Sequence, residues 1–357
     1  MNKSETICDN IEIQKHTEIS EVELKGEISK DATLRYRKKA LSKIGESATI
    51  SGFRKGHVPE PVLIRAVGEK AILEETAELV LSDLYPTLVE EHKLAVIGKP
   101  KISITKLAPG NPIGFIIRTA VLPNITLPDY KTIAMEIVRS QKPSSTEVAD
   151  KDIEETILHI RKQFATTSNS AIKNGNGINK DTGVQLPELT DEFVKKIGSF
   201  KNVSDFRKKL VENMEREKKN RTKEKVRMGI GSAIIEKSHI PLPKILVEGE
   251  LDKMLAQFKD DIKKMRITFD DYLAKIKKTP EDLRKEWKTD AEKRAKLQLI
   301  LNAIAKKESL AASQEAVERE VNHLLLHFKD ADRKRVAIYA ETILMNEQVF
   351  QFLEKQS

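Results

Sequence analysis

The sequence contains very little cysteine and few aromatic residues. Cys8 is the only cysteine, and aromatic residues make up 5% of the 357 positions, with a single tryptophan. One cysteine cannot form an internal disulfide, so we expect a protein of a reducing compartment. The low aromatic content means that any hydrophobic core must be mainly aliphatic.

Long hydrophobic runs are also missing from the sequence. The densest one, LQLILNAIA at 297–305, is too short to span a bilayer. The first ten residues, MNKSETICDN, carry acids and lack the apolar run of a signal peptide. We therefore expect a cytoplasmic protein with no membrane partner.

Charged residues, by contrast, are abundant. They make up 33% of the chain, hydrophobic residues make up 39%, and the formal net charge is +8. A charged fraction well above the usual value of about 25% indicates long exposed helices rather than one compact body. The chain is long enough for two or three domains with a substantial core.

Positive charge is concentrated between residues 35 and 65. This basic patch comprises Arg35, Arg37, Lys38, Lys39, Lys43, Arg54, Lys55 and Arg65, and the acids Glu46 and Glu60 lie among them. Local clusters of cations attract phosphate groups or acidic surfaces. A solvated helix face has a similar composition, so the patch alone does not establish a binding site.

Residues 1–122 have the pattern of an α+β domain. Alternating apolar and polar residues in IEIQKHTEISEVELKGEI predict strands, as do KPKISITKL and GFIIRTAVLP further on. Helical spacing predicts helices over about 30–44, after Pro59, and from about Glu69 to His92. Strands followed by helices and then strands predict a mostly antiparallel sheet with helices on it.

The rest of the chain is predicted to be mostly helical. Residues 123–145 hold three prolines and are predicted to form an extended linker, and a helix is predicted over 146–166. Residues 167–185, rich in Asn, Gly, Ser and Thr, predict a flexible loop. Residues 186–357 are predicted to be a helical domain, and its helix at about 204–238 has almost no apolar stripe in the middle. The predicted fold class is α+β: an N-terminal antiparallel-sheet domain, then an extended, mostly α-helical domain with arms.

The stretch GFRKGHVP lies between two predicted helices of the N-terminal domain. Two glycines, Gly52 and Gly56, bracket Phe53, Arg54 and Lys55. Glycines allow a sharp turn that exposes the side chains between them. An exposed phenylalanine ring loses the free energy of burial, so a partner surface is expected to cover it. The alternative is a ring folded back onto its own loop beside solvated cations.

This stretch resembles the ribosome-docking signature of the trigger factor family, the bacterial chaperones that sit at the ribosomal exit tunnel. Four further stretches resemble other parts of the family in the same order. They are LPNITLPDYKTIAMEI at 122–137 (linker), VADKDIEETILHIRKQFAT at 148–166 (interdomain helix), LPELTDEFVKKIGSF at 186–200 (start of the helical domain) and HIPLPKILVEGELDKML at 239–255 (turn into its next helix). The resemblance covers nearly the whole chain.

The resemblance implies an ATP-independent chaperone. Such a protein docks near the exit tunnel on protein and rRNA of the large ribosomal subunit, and it holds nascent or unfolded polypeptides during folding and export. The resemblance assigns ribosome binding to Gly52, Phe53, Arg54, Lys55, Gly56 and His57. His57 stands where the family commonly has lysine, which lowers the charge of the motif at neutral pH. No cofactor is implied, and a weak homodimer away from the ribosome is left open.

One departure from the family is large. Its members usually carry an FK506-binding-type prolyl isomerase domain between the interdomain helix and the LPELT segment. Here only residues 167–185 fill that place, and none of them is aromatic, although a proline pocket needs aromatic walls. We therefore predict that the isomerase domain is absent and that the protein is not an enzyme.

Two other functions remain open at this stage. One is an active peptidyl-prolyl cis-trans isomerase, as in the full-length members of the family. The other is a ribosome-assembly or RNA-binding factor that uses the basic patch. The absence of stacking aromatic residues on a predicted strand face weighs against RNA binding.

Exposed apolar residues of the helical domain are the candidates for client binding. A chaperone of this kind leaves some apolar side chains on a surface broken up by charges, and flexible methionine and leucine suit varied partners. The candidate residues are Met254, Phe258, Met265, Leu324 and Phe328. Residues of these types are more often found in a core.

A histidine pair offers the strongest metal-binding pattern. His323 and His327 lie one helical turn apart in HLLLH, a spacing that can ligate a metal ion. No third ligand is evident and leucines separate the two, so two partly buried histidines are the preferred interpretation. No catalytic, metal or cofactor site is predicted.

Overall fold

The computed structural model describes residues 7–54, 56–140, 148–172, 186–328 and 330–356, with side chains throughout except at 166–172. The described chain forms two compact units. The first comprises residues 1–127 and 238–303, and the second comprises residues 128–237 and 304–357.

Strands are confined to the N-terminal part of the described chain, and helices make up most of the rest. In chain order the elements are β1 (Cys8–His16), β2 (Glu21–Ile28), α1 (Lys30–Ser47), α2 (Glu60–Val67), α3 (Glu69–Glu91), β3 (Val96–Lys106), β4 (Ile113–Val121), α4 (Tyr130–Ser140), α5 (Asp150–Ile172), α6 (Asp191–Ile197), α7 (Val203–Glu236), α8 (Lys244–Lys264), α9 (Phe269–Ile276), α10 (Pro280–Lys307), α11 (Gln314–His327) and α12 (Arg333–Glu354). The predicted α+β class is confirmed. None of the helices in the described ranges has the length and apolar character needed to cross a membrane.

The sheet of the first unit is antiparallel, with strand order β1-β2-β4-β3. Along each strand, successive side chains point alternately to the core face and to the opposite face. Leu24 on β2 pairs with Ile117 on β4, and both side chains are buried on the core face. Helices α1 and α3 pack together on this face. The core consists of Cys8, Val22, Leu24, Ile28, Ala32, Leu73, Ala77, Val80, Leu81, Leu84, Leu88, Ile113, Phe115 and Ile117. It is aliphatic apart from Phe115 and Cys8, as the composition predicted.

Helices α8, α9 and most of α10 complete the first unit. Val247, Leu251 and Ala291 form a small core between α8 and α10. The N-terminus of α10 carries a reciprocal cap: the Thr279 N–H donates to an Asp282 carboxylate oxygen at 3.0 Å, and the Asp282 N–H donates to the Thr279 hydroxyl at 3.2 Å. Two capping hydrogen bonds thereby fix where this long helix begins.

The second unit is entirely helical in its described part. Ile153 and Ile157 of α5 pack against Phe193 and Val194 of α6 and Phe206 of α7. The buried residues of α7 lie near its two ends, at Phe206 and at Ile230, Gly231 and Ile234. The middle of α7 is solvated, as its polar sequence predicts.

The structure corrects two predicted segments. Residues 123–145 were expected to be extended, but α4 occupies Tyr130–Ser140 and buries Tyr130, Ile133 and Ala134. Pro123 and Pro128 precede the helix and do not interrupt it, and Pro143 lies outside the described residues. Helix α5 continues to Ile172, so the first residues of the predicted loop at 167–185 are helical, and its residues 173–185 lie outside the described chain.

Candidate functional site

The motif GFRKGHVP forms the connection between α1 and α2. Gly52 and Gly56 have φ angles of +87° and +80°, and a Cβ atom at either position would meet no atom within 4 Å. Backbone conformation rather than lack of space therefore requires glycine at both positions. The Gly56 N–H donates to the Gly45 carbonyl at 2.9 Å, and the Phe53 N–H donates to the Ile50 carbonyl at 3.1 Å.

A small hydrophobic cluster supports the base of this connection. Leu41 of α1, Leu63 of α2 and Ile72 of α3 are buried together. Ile50 and Val58 pack against them from the two sides of the loop. Because both flanks of the loop are held by this cluster, the tip between the glycines is presented on a fixed base.

The side chains of the tip face solvent. Phe53 is 42% exposed and is not among the residues that pack against the cluster below it. Arg54 and His57 are also exposed, and Lys55 lies outside the described residues. The structure thus exposes a ring and a cation between the two glycines, Gly52 and Gly56, and an exposed histidine directly after the second one. Such a tip can insert its ring into a shallow apolar site while the cation meets an acidic or phosphate group.

Part of the predicted basic patch is neutralised by α3. Arg37 forms two hydrogen bonds to the Glu69 carboxylate, at 2.5 and 2.9 Å, and Lys43 forms an ion pair with Glu75 at 2.6 Å. The hydrogen bond to Glu69 raises the pKa of the Arg37 guanidinium above its ordinary value. Sequence reasoning missed these pairs because both acids lie beyond residue 65, the end of the patch. The positive charge that remains exposed is carried by residues including Lys38, Lys39, Arg54 and Arg65.

The five predicted client-binding residues fall in both units. Met254 and Phe258 are half-buried in the first unit, where the ring of Phe258 makes edge contacts with Phe269, Tyr272 and Trp287. These two side chains are largely committed to packing. Met265, at the end of α8, is exposed.

Leu324 and Phe328 belong to the second unit. Leu324 is half-buried on α11, and Phe328 caps the C-terminus of that helix with an exposed ring. The Phe328 N–H donates to the Leu324 carbonyl at 2.9 Å, so the two residues are neighbours.

Apart from Phe328, the sequence analysis did not identify several apolar side chains that the structure leaves exposed on α11 and α12. The exposed set comprises Leu326 and Phe328 at the end of α11 and Ile338, Tyr339 and Ile343 on α12. We call these five side chains the α11–α12 apolar surface, since the two helices pack against each other. A signal was available: five consecutive apolar residues at 336–340 cannot all face one side of a helix.

The rings of the two candidate metal ligands contact each other. The rings of His323 and His327 meet edge to face at 5.2 Å, and both side chains are exposed rather than partly buried as expected. Within the described ranges, no group of three or more His, Cys, Asp or Glu residues could hold a metal ion.

Comparison with known proteins gives consistent matches along the chain. The family model described as bacterial trigger factor protein (TF) matches residues 10–160, and the model of the TF C-terminus matches residues 202–354. No family model of an FK506-binding-type isomerase matches.

Similar proteins and one solved structure extend these matches. The trigger factor of Pelotomaculum thermopropionicum is 23% identical over 393 residues, covering 89% of this chain and 87% of that protein. The trigger factor of Streptomyces coelicolor is 25% identical, covering 77% and 73%. A solved structure, described as promiscuous substrate recognition in folding and assembly activities of the trigger factor chaperone, shares the fold. Its TM-score is 0.53 at 15% identity, covering 97% of this chain and all of that one.

Proposed function

This chain belongs to the trigger factor family of ribosome-associated chaperones, and we propose that it docks on the large ribosomal subunit through the tip at residues 52–57 and holds unfolded polypeptides without nucleotide. The single observation that carries the docking proposal is the exposed Phe53 ring between two glycines with positive φ. A buried cluster fixes the base of the loop. A rigidly presented apolar anchor binds at a small entropic cost.

The docking residues are Gly52, Phe53, Arg54, Lys55, Gly56 and His57. The glycines set the turn, Phe53 supplies the anchor, and the cations supply the attraction to rRNA phosphates or acidic protein side chains. A general RNA-binding role has less support, because Glu69 and Glu75 neutralise part of the basic patch.

The holding of clients is assigned to the α11–α12 apolar surface, which includes Phe328 of the predicted set. Exposed apolar patches of this kind serve as binding sites for other polypeptides. The ion pair of Arg333 with Glu318 at 2.7 Å also lies on these two helices, so the apolar side chains stand among charged ones. Binding on such a surface is expected to be weak and quickly reversible, since a held chain loses conformational entropy.

We further propose that the isomerase domain is absent and that the protein works in the cytoplasm. The two family models leave residues 161–201 between them, and α5 and α6 occupy part of that interval. The lone cysteine, Cys8, is buried, in keeping with a reducing compartment. A weak homodimer away from the ribosome remains a prediction.

Cosedimentation with purified ribosomes tests the docking proposal. The Phe53→Ala, Arg54→Ala, Lys55→Ala triple variant should bind at least about tenfold more weakly than the parent, and added salt should weaken parent binding. A matched control replaces one exposed apolar residue and two cations on α7, as Met228→Ala, Lys219→Ala and Arg221→Ala. Equal binding by the triple variant and the parent would refute the assignment.

A further inference from the structure

The core face of the N-terminal sheet extends beyond the helices that cover it. Residues directly paired across antiparallel strands lie on the same face. Ile102 of β3 pairs with Ile117, and Ile104 pairs with Phe115. The two partners on β4 are fully buried, whereas Ile102 and Ile104 are 40% and 38% exposed. The apolar face of the sheet is therefore only partly covered where it reaches β3.

A groove of about 450 Å³ runs between these two isoleucines and one face of α3. Its apolar lining is completed by Ala71 and Leu81, and its wall consists of Glu74, Glu75 and Glu78. On α3, Glu74, Glu75, Glu78 and Leu81 come three, four, seven and ten residues after Ala71, so all five lie along one side of the helix. We call this site the β3 groove.

The wall of the β3 groove is acidic, and no lysine or arginine lines it. Glu75 is paired with Lys43 at 2.6 Å, and Glu74 forms an exposed pair with Lys70 at 3.7 Å. Glu78 is exposed and makes no ion pair with any residue that the structure describes. The groove therefore offers carboxylate oxygens to a cationic ligand beside an aliphatic floor.

The backbone of β3 is available on its outer side. The strand pairs with β4 on one side, and the described chain places no strand on the other. Near its start, Gly98 is covered: a Cβ atom there would lie 2.0 Å from the Cδ1 of Ile245 on α8. The open part is the later half, beside the groove. Unpaired N–H and C=O groups of an edge strand accept an additional strand.

We propose that the β3 groove binds an extended segment of an unfolded client by strand addition to β3. The segment carries aliphatic residues together with lysine or arginine on the face that meets the groove. A strand laid beside β3 continues the sheet and directs every second side chain over the groove. There, aliphatic side chains cover Ile102 and Ile104, and cations approach Glu74 and Glu78. The inference rests on the proposed function, because an unfolded client supplies such segments.

The test uses the full chain and a labelled octapeptide probe followed by fluorescence anisotropy. In the probe, threonine occupies every second position, and isoleucine and lysine share the others. Two control peptides change one property each: glutamate replaces lysine in the first, and alternate backbone amides are N-methylated in the second. Both should bind at least tenfold more weakly, because the first repels the acidic wall and the second cannot pair with β3.

Protein variants locate the binding site. Glu74→Gln with Glu78→Gln should weaken probe binding several-fold, and Ile102→Thr with Ile104→Thr should weaken it further. The control Glu212→Gln with Glu215→Gln removes two exposed carboxylates of α7 and should leave binding unchanged. Thermal unfolding and ribosome cosedimentation of each variant should match the parent, which separates this site from docking at residues 52–57.

Three outcomes would overturn the inference. The first is probe affinity that is indifferent to N-methylation or to the Glu74 and Glu78 changes. The second is chemical-shift changes on the α11–α12 apolar surface with none at Ile102 and Ile104. The third is a concentration-dependent dimer that the Ile102 and Ile104 changes abolish, since a second copy would then occupy the groove. A failure of ribosome binding leaves the probe measurement intact, so the two proposals fail separately.

Discussion

The backbone N–H of Gly56 donates to the carbonyl of Gly45 at 2.9 Å, which ties the tip at residues 52–57 to the last turns of α1. Gly45 is buried in α1 beside Leu63 of α2. The Gly56–Gly45 hydrogen bond holds the second half of the loop against α1. The position of the tip is therefore coupled to the hydrophobic cluster around Leu63. The docking proposal therefore depends on backbone geometry as well as on the exposed side chains.

Substitutions at Gly52 and Gly56, the two glycines with positive φ, test this dependence. Gly52→Ala and Gly56→Ala should each lower the free energy of unfolding by about 1 kcal/mol and weaken ribosome binding, because alanine disfavours positive φ. Gly56→Asn should be milder, since asparagine tolerates that region better. Urea unfolding and ribosome cosedimentation measure the two effects.

The matched control for these variants is Gly249→Ala. Gly249 lies inside α8 with open space around it, so alanine there should be neutral or slightly stabilising. If Gly52→Ala and Gly56→Ala both unfold and bind ribosomes as the parent does, positive φ at these two positions is dispensable.

The elements set by local sequence signals were predictable. Period-two patterns located the strands, and the sequence marks helix starts at Thr190, Ser204, Thr268, Thr279 and Ser313. Four of these accept the expected backbone N–H, but Ser204 lies inside α7, whose cap is Asn202. Helix α4 was missed because three prolines in one segment suggested an extended chain, although the eleven residues of α4 contain none of them. Proline excludes a helix only where it interrupts one.

The features set by tertiary contact were not predictable in the same way. The pairing of Arg37 with Glu69 joins α1 to α3, and no sequence pattern over 35–65 reveals it. Likewise, Ile102 and Ile104 look like ordinary strand residues, and only the extent of helical cover shows that they remain partly exposed. The tip at residues 52–57 was singled out by family resemblance, and the structure supplies its geometry.

A guanidinium between two carboxylates links α7 to α12 in the second unit. Arg227 contacts Glu347 at 2.6 and 2.8 Å and Glu354 at 2.5 Å. Hydrogen bonding to Arg227 is the main cause that lowers the pKa of Glu347 from 4.5 to about 2. Because the folded pKa lies below the unfolded one, the stabilisation is fully present above about pH 4.5 and is lost as pH falls toward 2.

The Glu347→Gln variant should therefore be less stable than the parent near neutral pH. The loss should be about 1 kcal/mol, because Glu347 is 38% exposed and solvent screens the pair. The difference in unfolding free energy between parent and variant should shrink as the pH is lowered from 5 to about 2.5. Urea unfolding over this range measures it, with Glu341→Gln on the exposed side of α12 as control. If the difference in unfolding free energy between the parent and Glu347→Gln does not change with pH, the ion pair of Arg227 with Glu347 contributes nothing to stability.

The proposed absence of the isomerase domain predicts that its activity is absent as well. The purified protein should not accelerate isomerisation of a proline-containing peptide in a protease-coupled assay, where the uncatalysed relaxation takes roughly tens to hundreds of seconds. Deleting residues 174–184, which begin after the end of α5 at Ile172, should alter neither stability nor suppression of aggregation, because this sequence has few apolar side chains to bury. Isomerase activity that disappears with the deletion would contradict the proposal.

The assignment of client holding to the α11–α12 apolar surface makes the last prediction. Leu326→Ser, Ile338→Ser and Tyr339→Ser together remove three exposed apolar side chains. Each change should cost less than about 0.5 kcal/mol of stability, because an exposed side chain loses little packing. Suppression of the aggregation of an unfolding protein should nevertheless fall several-fold in the triple variant.

The control for that triple variant is Lys334→Ser with Glu341→Ser, which changes two exposed charged residues of α12. It should protect clients as well as the parent does, and both variants should bind ribosomes normally through the intact tip at residues 52–57. If the triple variant protects fully while Ile102→Thr with Ile104→Thr abolishes protection, client holding resides in the β3 groove of the first unit. The apolar side chains of α11 and α12 would then have a role other than binding unfolded chains.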